Sequence, residues 1–381
     1  MKKNNFFLGM LAGILAFFLV NNFFAVNINV AGFKMNQIFS ILDKYYMNGY
    51  NKDDAQDYMY YGLLSSLGDP YTSYMDKKTF TSFMEQTEGE YIGIGTVISV
   101  DENDGRLVIV SPYENSPAAK AGILPGDKIL SVDNLAASKE NYEQIVKNLK
   151  GAAGTTAKIK IIRPAKNNKV LEFNVVREKI DIPTVSHKVF DNIGYLRITN
   201  FDKNTYEQFV NAYNLISKNN LKGLIIDLRN NPGGLLDSVV KIADELVPKD
   251  CIVYTEDKNG NKKFIYSDDK YIKLPLVVLV NGNSASASEV LSGAIKDLKR
   301  GILVGSKTFG KGLVQNLFPL RDGSAVKVTV AKYYTPAGIC INGKGIEPDY
   351  KIELPEDTMI SGLEPKDDLQ LQKALELLDV N

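Results

Sequence analysis

The sequence predicts an α/β domain in its second half, a small barrel of short strands before it, and a helical segment nearer the N-terminus. From 180 to 353 apolar strands alternate with helices, which is typical of a partly parallel sheet. From 90 to 178 short strands are separated by glycine turns, and from 33 to 85 apolar residues recur at helical spacing. The expected segments are 1–30 (signal peptide or membrane anchor), 33–85 (helical region), 86–178 (barrel domain), 180–355 (α/β domain) and 356–381 (helical tail).

The N-terminal segment has the pattern of an export signal. Lys2 and Lys3 precede an uninterrupted apolar stretch, Phe6–Val20, which suits the core of a signal peptide. If the segment is extended to Val26, it is about as long as a helix that spans a bilayer. Because no Ala-x-Ala cleavage site is evident, we favour an uncleaved transmembrane anchor over a removed signal. The rest of the chain is then expected outside the cytoplasmic membrane, or secreted if the segment is cleaved.

Residues 33–85 are expected to be helical. Apolar residues lie at helical spacing in Ile38–Tyr45 and again in Tyr58–Leu67, and Gly68-Asp69-Pro70 ends the second helix. Since no residue pattern here indicates chemistry, we interpret the segment as packing or scaffolding.

Residues 86–178 have the order of elements of a PDZ domain. A glycine turn leads into a short strand, a helix from Lys139 to Leu149 has one apolar face, and the stretch SPAAKAGILPGDKILSVDN resembles known PDZ sequences. In that fold the turn holds a peptide's terminal carboxylate, and the peptide adds as a strand beside the helix. The expected peptide contacts are Tyr91, Ile92, Gly93, Ile94, Gly95, Tyr142, Ile145, Val146 and Leu149. A small barrel without a ligand is the alternative.

In the α/β domain, two strands end in unusual loops. Leu221–Leu228 leads into Asn-Asn-Pro-Gly-Gly, and Leu274–Val280 leads into Asn-Gly-Asn-Ser-Ala-Ser-Ala-Ser-Glu, each before a helix. Chemistry gathers at the carboxyl ends of parallel strands. The N–H groups of Gly233 and Gly234 at a helix N-terminus could stabilise an oxyanion, although an ordinary strand-to-helix turn explains these glycines as well.

The second loop is built like a nucleophile turn, although it lacks the GxSxG spacing. Ser284, Ser286 and Ser288 alternate with alanines, whose small side chains let a substrate backbone approach a hydroxyl. Helix capping by Ser284 or Ser286, with Glu289 completing a capping box, is compatible with catalysis. The residues alone do not choose among the three serines.

A serine nucleophile needs a base, and both a histidine and a lysine are available. His187 lies in an extended segment at the start of the α/β domain, where a surface or core role is the better interpretation. Lys311 lies between two glycines after the strand Gly301–Gly305, and a lysine in an apolar site can act as a base near neutral pH. Gln315 is a neutral amide that could orient the amine. The alternative for Lys311 is a solvated loop lysine.

Composition excludes several classes of site. Lys+Arg and Asp+Glu each total 45, so the zero net charge gives no indication of nucleic-acid binding. The single histidine rules out an HExxH zinc site. Cys251 and Cys340 are far apart without a CxxC spacing, so metal and redox chemistry are not expected, and their pairing stays open.

Six motifs together resemble the carboxyl-terminal processing (tail-specific) protease family. They are SASASE, TFGKGLVQ, DLRNNPGG, YYTPAG, GKGIEPD and GDPYTSYM, and the resemblance covers about 35–378. It implies Ser286 as nucleophile, Lys311 as base and Gln315 as its partner, with no metal or cofactor. It also implies an oxyanion hole from the N–H of Ala287 and of Gly233 or Gly234. The implied fold is a crotonase-like α/β catalytic domain with an inserted PDZ domain, a small β-barrel with two helices, after an N-terminal helical segment.

The function that this resemblance implies is a serine endopeptidase that recognises protein C-terminal tails through its PDZ domain and cuts with a Ser/Lys dyad. Its partners are then proteins or peptides with accessible C-termini, not nucleic acids, and a homodimer is left open. Arg177, at the junction between the two domains, is a candidate relay for gating. Two other classes are considered: a membrane-tethered PDZ adaptor that no longer cuts, and an amidase or esterase that uses His187.

Overall fold

A computed structural model describes residues 32–355, 358–360 and 363–379. The predicted signal or anchor over 1–30 lies outside these residues, and none of the helices within them is both long and apolar enough to span a membrane. These described residues divide into two compact units, one that ends at Leu63 and one that begins at Leu64.

The first unit contains α1 (32–45) and most of α2 (Lys52–Ser65), and a short loop joins the two helices. Asp43 in α1 accepts hydrogen bonds from the Tyr50 hydroxyl and the Lys52 ammonium, and the Phe39 ring stacks on that of Tyr50. These contacts fix the loop between the two helices.

The second unit contains the remaining elements. Its strands are β1 (Ser73–Met75), β2 (Glu90–Gly93), β3 (Thr96–Val100), β4 (Leu107–Pro112), β5 (Lys128–Val132), β6 (Leu135–Ala136), β7 (Thr156–Arg163), β8 (Lys169–Val176), β9 (Glu178–Asp181), β10 (Val185–Phe190), β11 (Ile193–Ile198), β12 (Gly223–Asp227), β13 (Cys251–Asp257), β14 (Lys262–Tyr266), β15 (Leu276–Val280), β16 (Ile302–Gly305), β17 (Leu313–Pro319), β18 (Ala325–Tyr334) and β19 (Tyr350–Lys351). Its α-helices are α3 (Lys77–Glu88), α4 (Pro117–Lys120), α5 (Tyr142–Leu149), α6 (Thr205–Ile216), α7 (Leu236–Asp244), α8 (Ala287–Asp297) and α9 (Leu369–Asp379).

The centre of the α/β domain is a sheet in the order β10-β11-β12-β15-β16-β19. In this sheet β11, β12, β15, β16 and β19 are parallel to one another, and β10 pairs antiparallel with β11 at one edge. Because side chains alternate along each strand, Ile226 and Val278 pack with α6, α7 and α8 on one face, whereas Ile225 and Val277 pack with α9 on the other. This burial on both faces explains why β15 is apolar throughout and why β12 carries no polar side chain before its last residue, Asp227.

A second, antiparallel sheet has the order β1-β18-β13-β14, with β17 also paired to β18. The strand β1 corrects the prediction that 33–85 is helical, because Ser73–Met75 pairs with residues 325–327 of β18. A three-residue strand leaves too short a pattern to separate from the ends of neighbouring helices.

The domain predicted to be a PDZ domain has a sheet in the order β3-β4-β5-β7-β8, with β6 paired to β5. Its core includes Ile109, Ile129, Ile145 and Ile161, which come from the sheet and from α5. The chain enters through β2 and leaves through β9, and these two strands pair antiparallel from Glu90 opposite Asp181 to Gly93 opposite Glu178. The domain is therefore inserted into the chain between α3 and β10.

Candidate active site

Three loops of the α/β domain meet at one edge of the parallel sheet. They follow β12, β15 and β16, which are neighbours and run in the same direction. Backbone hydrogen bonds join the loops, because Ala285 N–H donates to Asn231 O and Phe309 N–H donates to Ser284 O. A cleft of about 440 Å³ lies here, lined in part by Ser286, Lys311 and Gln315.

The structure separates the three serines that sequence alone left equivalent. The Ser284 hydroxyl donates to Leu228 O at 2.8 Å, and the Ser288 hydroxyl donates to Asn231 O at 2.9 Å, both in fully buried positions. Ser286 instead lines the cleft and caps α8 with φ 55° and ψ −113°. Such a backbone conformation costs about 1–3 kcal/mol for a residue with a Cβ, and it presents the side chain at a sharp strand-to-helix turn.

Glu289 is fully buried and links the Ser286 loop, which follows β15, to the Lys311 loop, which follows β16. Its Oε2 accepts the backbone N–H groups of Ser286 and Lys311, and its Oε1 accepts the Thr308 hydroxyl and the Gly310 N–H. The Glu289 half of the predicted capping box forms at Ser286, whereas the Glu289 N–H donates to the backbone oxygen of Ser286 and not to its hydroxyl. Four donors on one carboxylate fix the Ser286 turn and the Lys311 loop relative to each other.

The two glycines of the first loop have different roles. Gly233 N–H donates to Asn231 Oδ1 at 2.8 Å, and a Cβ on Gly233 would lie 2.8 Å from Ser286 Cβ. Gly234 lines the cleft, and its N–H, like that of Ala287, has no acceptor within the described part of the chain. Of the two predicted alternatives, Gly234 is therefore the one with an N–H free for a ligand.

Lys311 is half-buried beside the ring of Tyr71, whose centroid lies 4.7 Å from the Lys311 Nζ. Burial lowers the pKa of Lys311 below its ordinary value, and the nearby ammonium of Lys327 lowers it further, against the opposing effects of Asp69 and Glu289. A larger fraction of Lys311 is therefore neutral near physiological pH than of an exposed lysine.

Several residues of this environment were not found from the sequence. Tyr71 and Asp69 belong to the segment interpreted as scaffolding, and Phe83 of α3 also lines the cleft. The one signal was the GDPYTSYM motif, which contains Tyr71 but carries no chemical pattern of its own. Gln315 lines the cleft as well, and its amide donates to Thr329 Oγ1 at 3.4 Å.

The predicted peptide contacts of the PDZ domain fall into two groups. Tyr91, Ile92, Tyr142 and Val146 line a cavity of about 1050 Å³, together with Lys150 and with Lys78, Ser82 and Glu85 of α3. We call this cavity the tail groove. Ile94, Ile145 and Leu149 are buried in the core of the domain. The glycines shape the turn, because a Cβ on Gly93 would lie 2.7 Å from the Tyr91 ring and Gly95 has φ +78°.

The remaining predicted residues lie elsewhere. His187 is exposed on β10, opposite Leu196. Arg177 is buried and binds Asp133 at 2.6 Å and Asn148 O at 2.5 Å, both within the PDZ domain. Both cysteines are free thiols. Within the described residues, no three His, Cys, Asp or Glu side chains are grouped so as to hold a metal ion.

Comparison with known proteins identifies the family. The family model for peptidase family S41 matches residues 192–352, and a PDZ domain model matches residues 108–163. The carboxy-terminal processing protease CtpB of Bacillus subtilis is 36% identical over 344 residues, which are 89% of this chain and 71% of that protein. The chain belongs to peptidase family S41. Another S41 relative, the carboxy-terminal-processing protease of Bartonella bacilliformis, is 35% identical over 83% of this chain and 81% of its own length.

Solved structures agree with this assignment. The photosystem II D1 C-terminal processing protease is 34% identical, with a TM-score of 0.50 over 83% of this chain and 86% of its own. An S41 protease from Bacteroides fragilis is 16% identical and shares the fold, with a TM-score of 0.55 over 84% of this chain and 90% of its own. The chain is thus a serine peptidase of the carboxy-terminal processing type, with an S41 fold of mixed α/β structure and a PDZ domain.

Proposed function

We propose that this S41 peptidase hydrolyses peptide bonds with Ser286 as nucleophile and Lys311 as general base. The observation that carries the proposal is that Ser286, alone of the three serines, shares a cleft with a half-buried lysine whose pKa is lowered. The free N–H groups of Ala287 and Gly234 supply an oxyanion hole beside it. Gln315, which lines the same cleft, is proposed to orient the amine.

The proposed reaction has two steps. Neutral Lys311 takes the proton of the Ser286 hydroxyl while Oγ attacks the peptide carbonyl, and the resulting oxyanion is held by the two N–H groups. As the C–N bond breaks, the Lys311 ammonium gives its proton to the leaving amine. Water then attacks the ester carbonyl, again losing a proton to Lys311, and Ser286 leaves with that proton as the acid product is released.

We propose that the PDZ domain recognises the C-terminal tails of protein substrates. The tail groove is lined by Tyr91 and Ile92 of β2, which lead into the glycine turn, and by Tyr142 and Val146 of α5. In this mode of binding the turn holds the terminal carboxylate and the helix contacts the preceding side chains. Apolar terminal residues suit this lining. We also propose that the chain works outside the cytoplasmic membrane, because Lys2, Lys3 and the apolar stretch Phe6–Val20 have the pattern of an export signal.

The experiment is hydrolysis of an unfolded test protein by the purified parent and by Ser286→Ala and Lys311→Met. We expect both variants to lose turnover while keeping the parental unfolding temperature. Ser186→Ala and His187→Ala, exposed on β10, are controls that should cut at the parental rate. Parental turnover in either Ser286→Ala or Lys311→Met would refute the dyad, and loss in His187→Ala with Lys311→Met unaffected would support a histidine base.

A further inference from the structure

A lysine at the end of α5 lies beside the glycine turn of the tail groove. Lys150 forms an isolated antiparallel bridge with Gly93, and Gly151 N–H donates to Ile92 O at 3.3 Å. The Lys150 Nζ lies 4.9 Å from the centroid of the Tyr91 ring, which belongs to β2, the strand that leads into the turn. The backbone bridge and the ring contact together hold this ammonium next to the turn.

The partner of Lys150 comes from outside the PDZ domain. Its Nζ lies 2.5 Å from a carboxylate oxygen of Glu85 in α3, and the two side chains are 36% and 38% exposed. Glu85 also lines the tail groove. The ammonium of Lys150 next to the turn is therefore already paired with a carboxylate of the same chain, that of Glu85.

The other lysines of the groove are placed differently. Lys78 pairs with Glu143, and Lys179 pairs with Glu90, each at 2.5 Å. Lys147 is exposed on α5 and has no ion pair within the described residues. Unlike Lys150, it has no backbone bridge to the glycine turn there.

We propose that Lys150 binds the terminal carboxylate of the substrate tail, and that Glu85 takes its place while the groove is empty. This inference rests on the proposed recognition of tails by the PDZ domain. Binding then exchanges one carboxylate for another on the same ammonium, so Glu85 competes with the substrate. Because both side chains are only partly exposed, the charge-assisted bond is strong enough to discriminate a free acid from an amide.

The test measures binding of two peptides by fluorescence anisotropy, one ending in a free apolar residue and one with the same terminus amidated. The full chain carries Ser286→Ala, so that peptides are bound but not cut. In this parent the acid should bind at least about tenfold tighter than the amide. Lys150→Met should lose about tenfold in affinity for the acid and little for the amide. Glu85→Gln should bind the acid more tightly than the parent.

Two further variants provide comparison. Lys160→Met removes a lysine of β7 whose side chain is 45% exposed and pairs with Glu172, and it should keep the parental affinities. Lys147→Met removes the exposed lysine of α5, and it should lose much less affinity for the acid than Lys150→Met. An equal loss in both would mean general attraction by positive charge and would overturn the inference.

The remaining outcomes separate this inference from the proposal on which it rests. If Lys150→Met weakens acid and amide equally while the parent still prefers the acid, Lys150 does not bind the carboxylate, but tail recognition stands. If the parent shows no preference for the acid, tail recognition by the PDZ domain is wrong, and the inference falls with it.

Discussion

Ser286 and Lys311 donate their backbone N–H groups to the same atom, Oε2 of Glu289, at 2.9 and 2.8 Å. The two residues lie in loops after different strands, and this oxygen links the loops directly. The other oxygen, Oε1, accepts from Thr308 and Gly310. The relative position of the proposed nucleophile and base thus depends on one buried carboxylate.

Replacing Glu289 by Gln should lower kcat by about a hundredfold, the scale that a misplacement of about 1 Å produces. A glutamine amide accepts hydrogen bonds through one oxygen only, so its NH₂ group would face two of the four donors. Single-turnover kinetics and the unfolding temperature should be measured together. Glu347→Gln, at an exposed carboxylate paired with Lys307, is the control. A folded Glu289→Gln protein with parental kcat would show that the link is not needed.

The pH dependence of kcat/KM should report Lys311. Since the base acts in its neutral form, the rate should rise with pH around a pKa below the ordinary 10.5. Lys327→Met removes a neighbouring positive charge, which lies 5.9 Å from the centroid of the Phe83 ring, and keeps an unbranched side chain of similar length. The pKa of Lys311 should therefore rise, and the midpoint of the profile should move to higher pH.

The matched control for this profile is Lys263→Met, at an exposed lysine on β14. It should leave the midpoint unchanged. If the midpoint of the Lys327→Met profile is unchanged, or lies at lower pH than that of the parent, the titrating group is not Lys311.

The buried guanidinium of Arg229 should be essential for docking of α9. It binds Asp227 at 2.7 Å and Asp368 at 2.8 Å, and all three side chains are nearly inaccessible to solvent. Arg229→Met leaves two buried carboxylates without their cation, so the free energy of unfolding should fall by about 3–5 kcal/mol. Denaturant titration gives this value, and hydrogen exchange should show α9 losing protection first.

Lys160→Met is again the comparison, because its exposed pair with Glu172 should contribute about 1 kcal/mol or less. A loss in Arg229→Met no larger than in Lys160→Met would mean that apolar packing of Leu371 and Leu378 alone holds α9.

Asp202 should make stability depend on pH in an unusual direction. Burial raises its pKa to about 6, so the folded state holds this proton more tightly than the unfolded state. Its contribution to stability is present below about pH 4 and is lost as the pH rises to about 6, a change of up to about 3 kcal/mol. Asp202→Asn has no carboxyl group to titrate and so does not lose this stability. As the pH rises from about 4 to about 6, the free energy of unfolding of Asp202→Asn should therefore increase relative to that of the parent. Asp269→Asn, at an exposed position, should show no such trend.

Much of the α/β domain could be predicted because its pattern is strong. The parallel strands β12 and β15 are buried on both faces, and both are mostly apolar in sequence, with Asp227 as the exception at the end of β12. The ends of the two strands carry the unusual loops. The antiparallel strands β13, β14, β17 and β18 were not predicted, since their residues are partly exposed and do not alternate regularly. The strand β1 was missed because only pairing with β18 defines it.

Only the part of the site that depends on local sequence could be predicted. Local sequence places a serine and a lysine at neighbouring strand ends, but choosing Ser286 needs the contacts of Ser284 and Ser288 with the first loop. The capping role of Glu289 is local and was predicted, whereas its bonds to the Lys311 loop depend on tertiary structure. The contact of Tyr71 with Lys311 spans most of the chain, and no sequence spacing reports it.

The most direct test of the Ser286/Lys311 site is peptide mapping of the protein after reaction with a serine-directed fluorophosphonate, with the labelling rate followed by intact mass. A single adduct should form on Ser286, and the rate should fall at least about a hundredfold in Lys311→Met, the scale of general base catalysis. An adduct on Ser284 or Ser288, or parental labelling of Ser286 in Lys311→Met, would contradict the account.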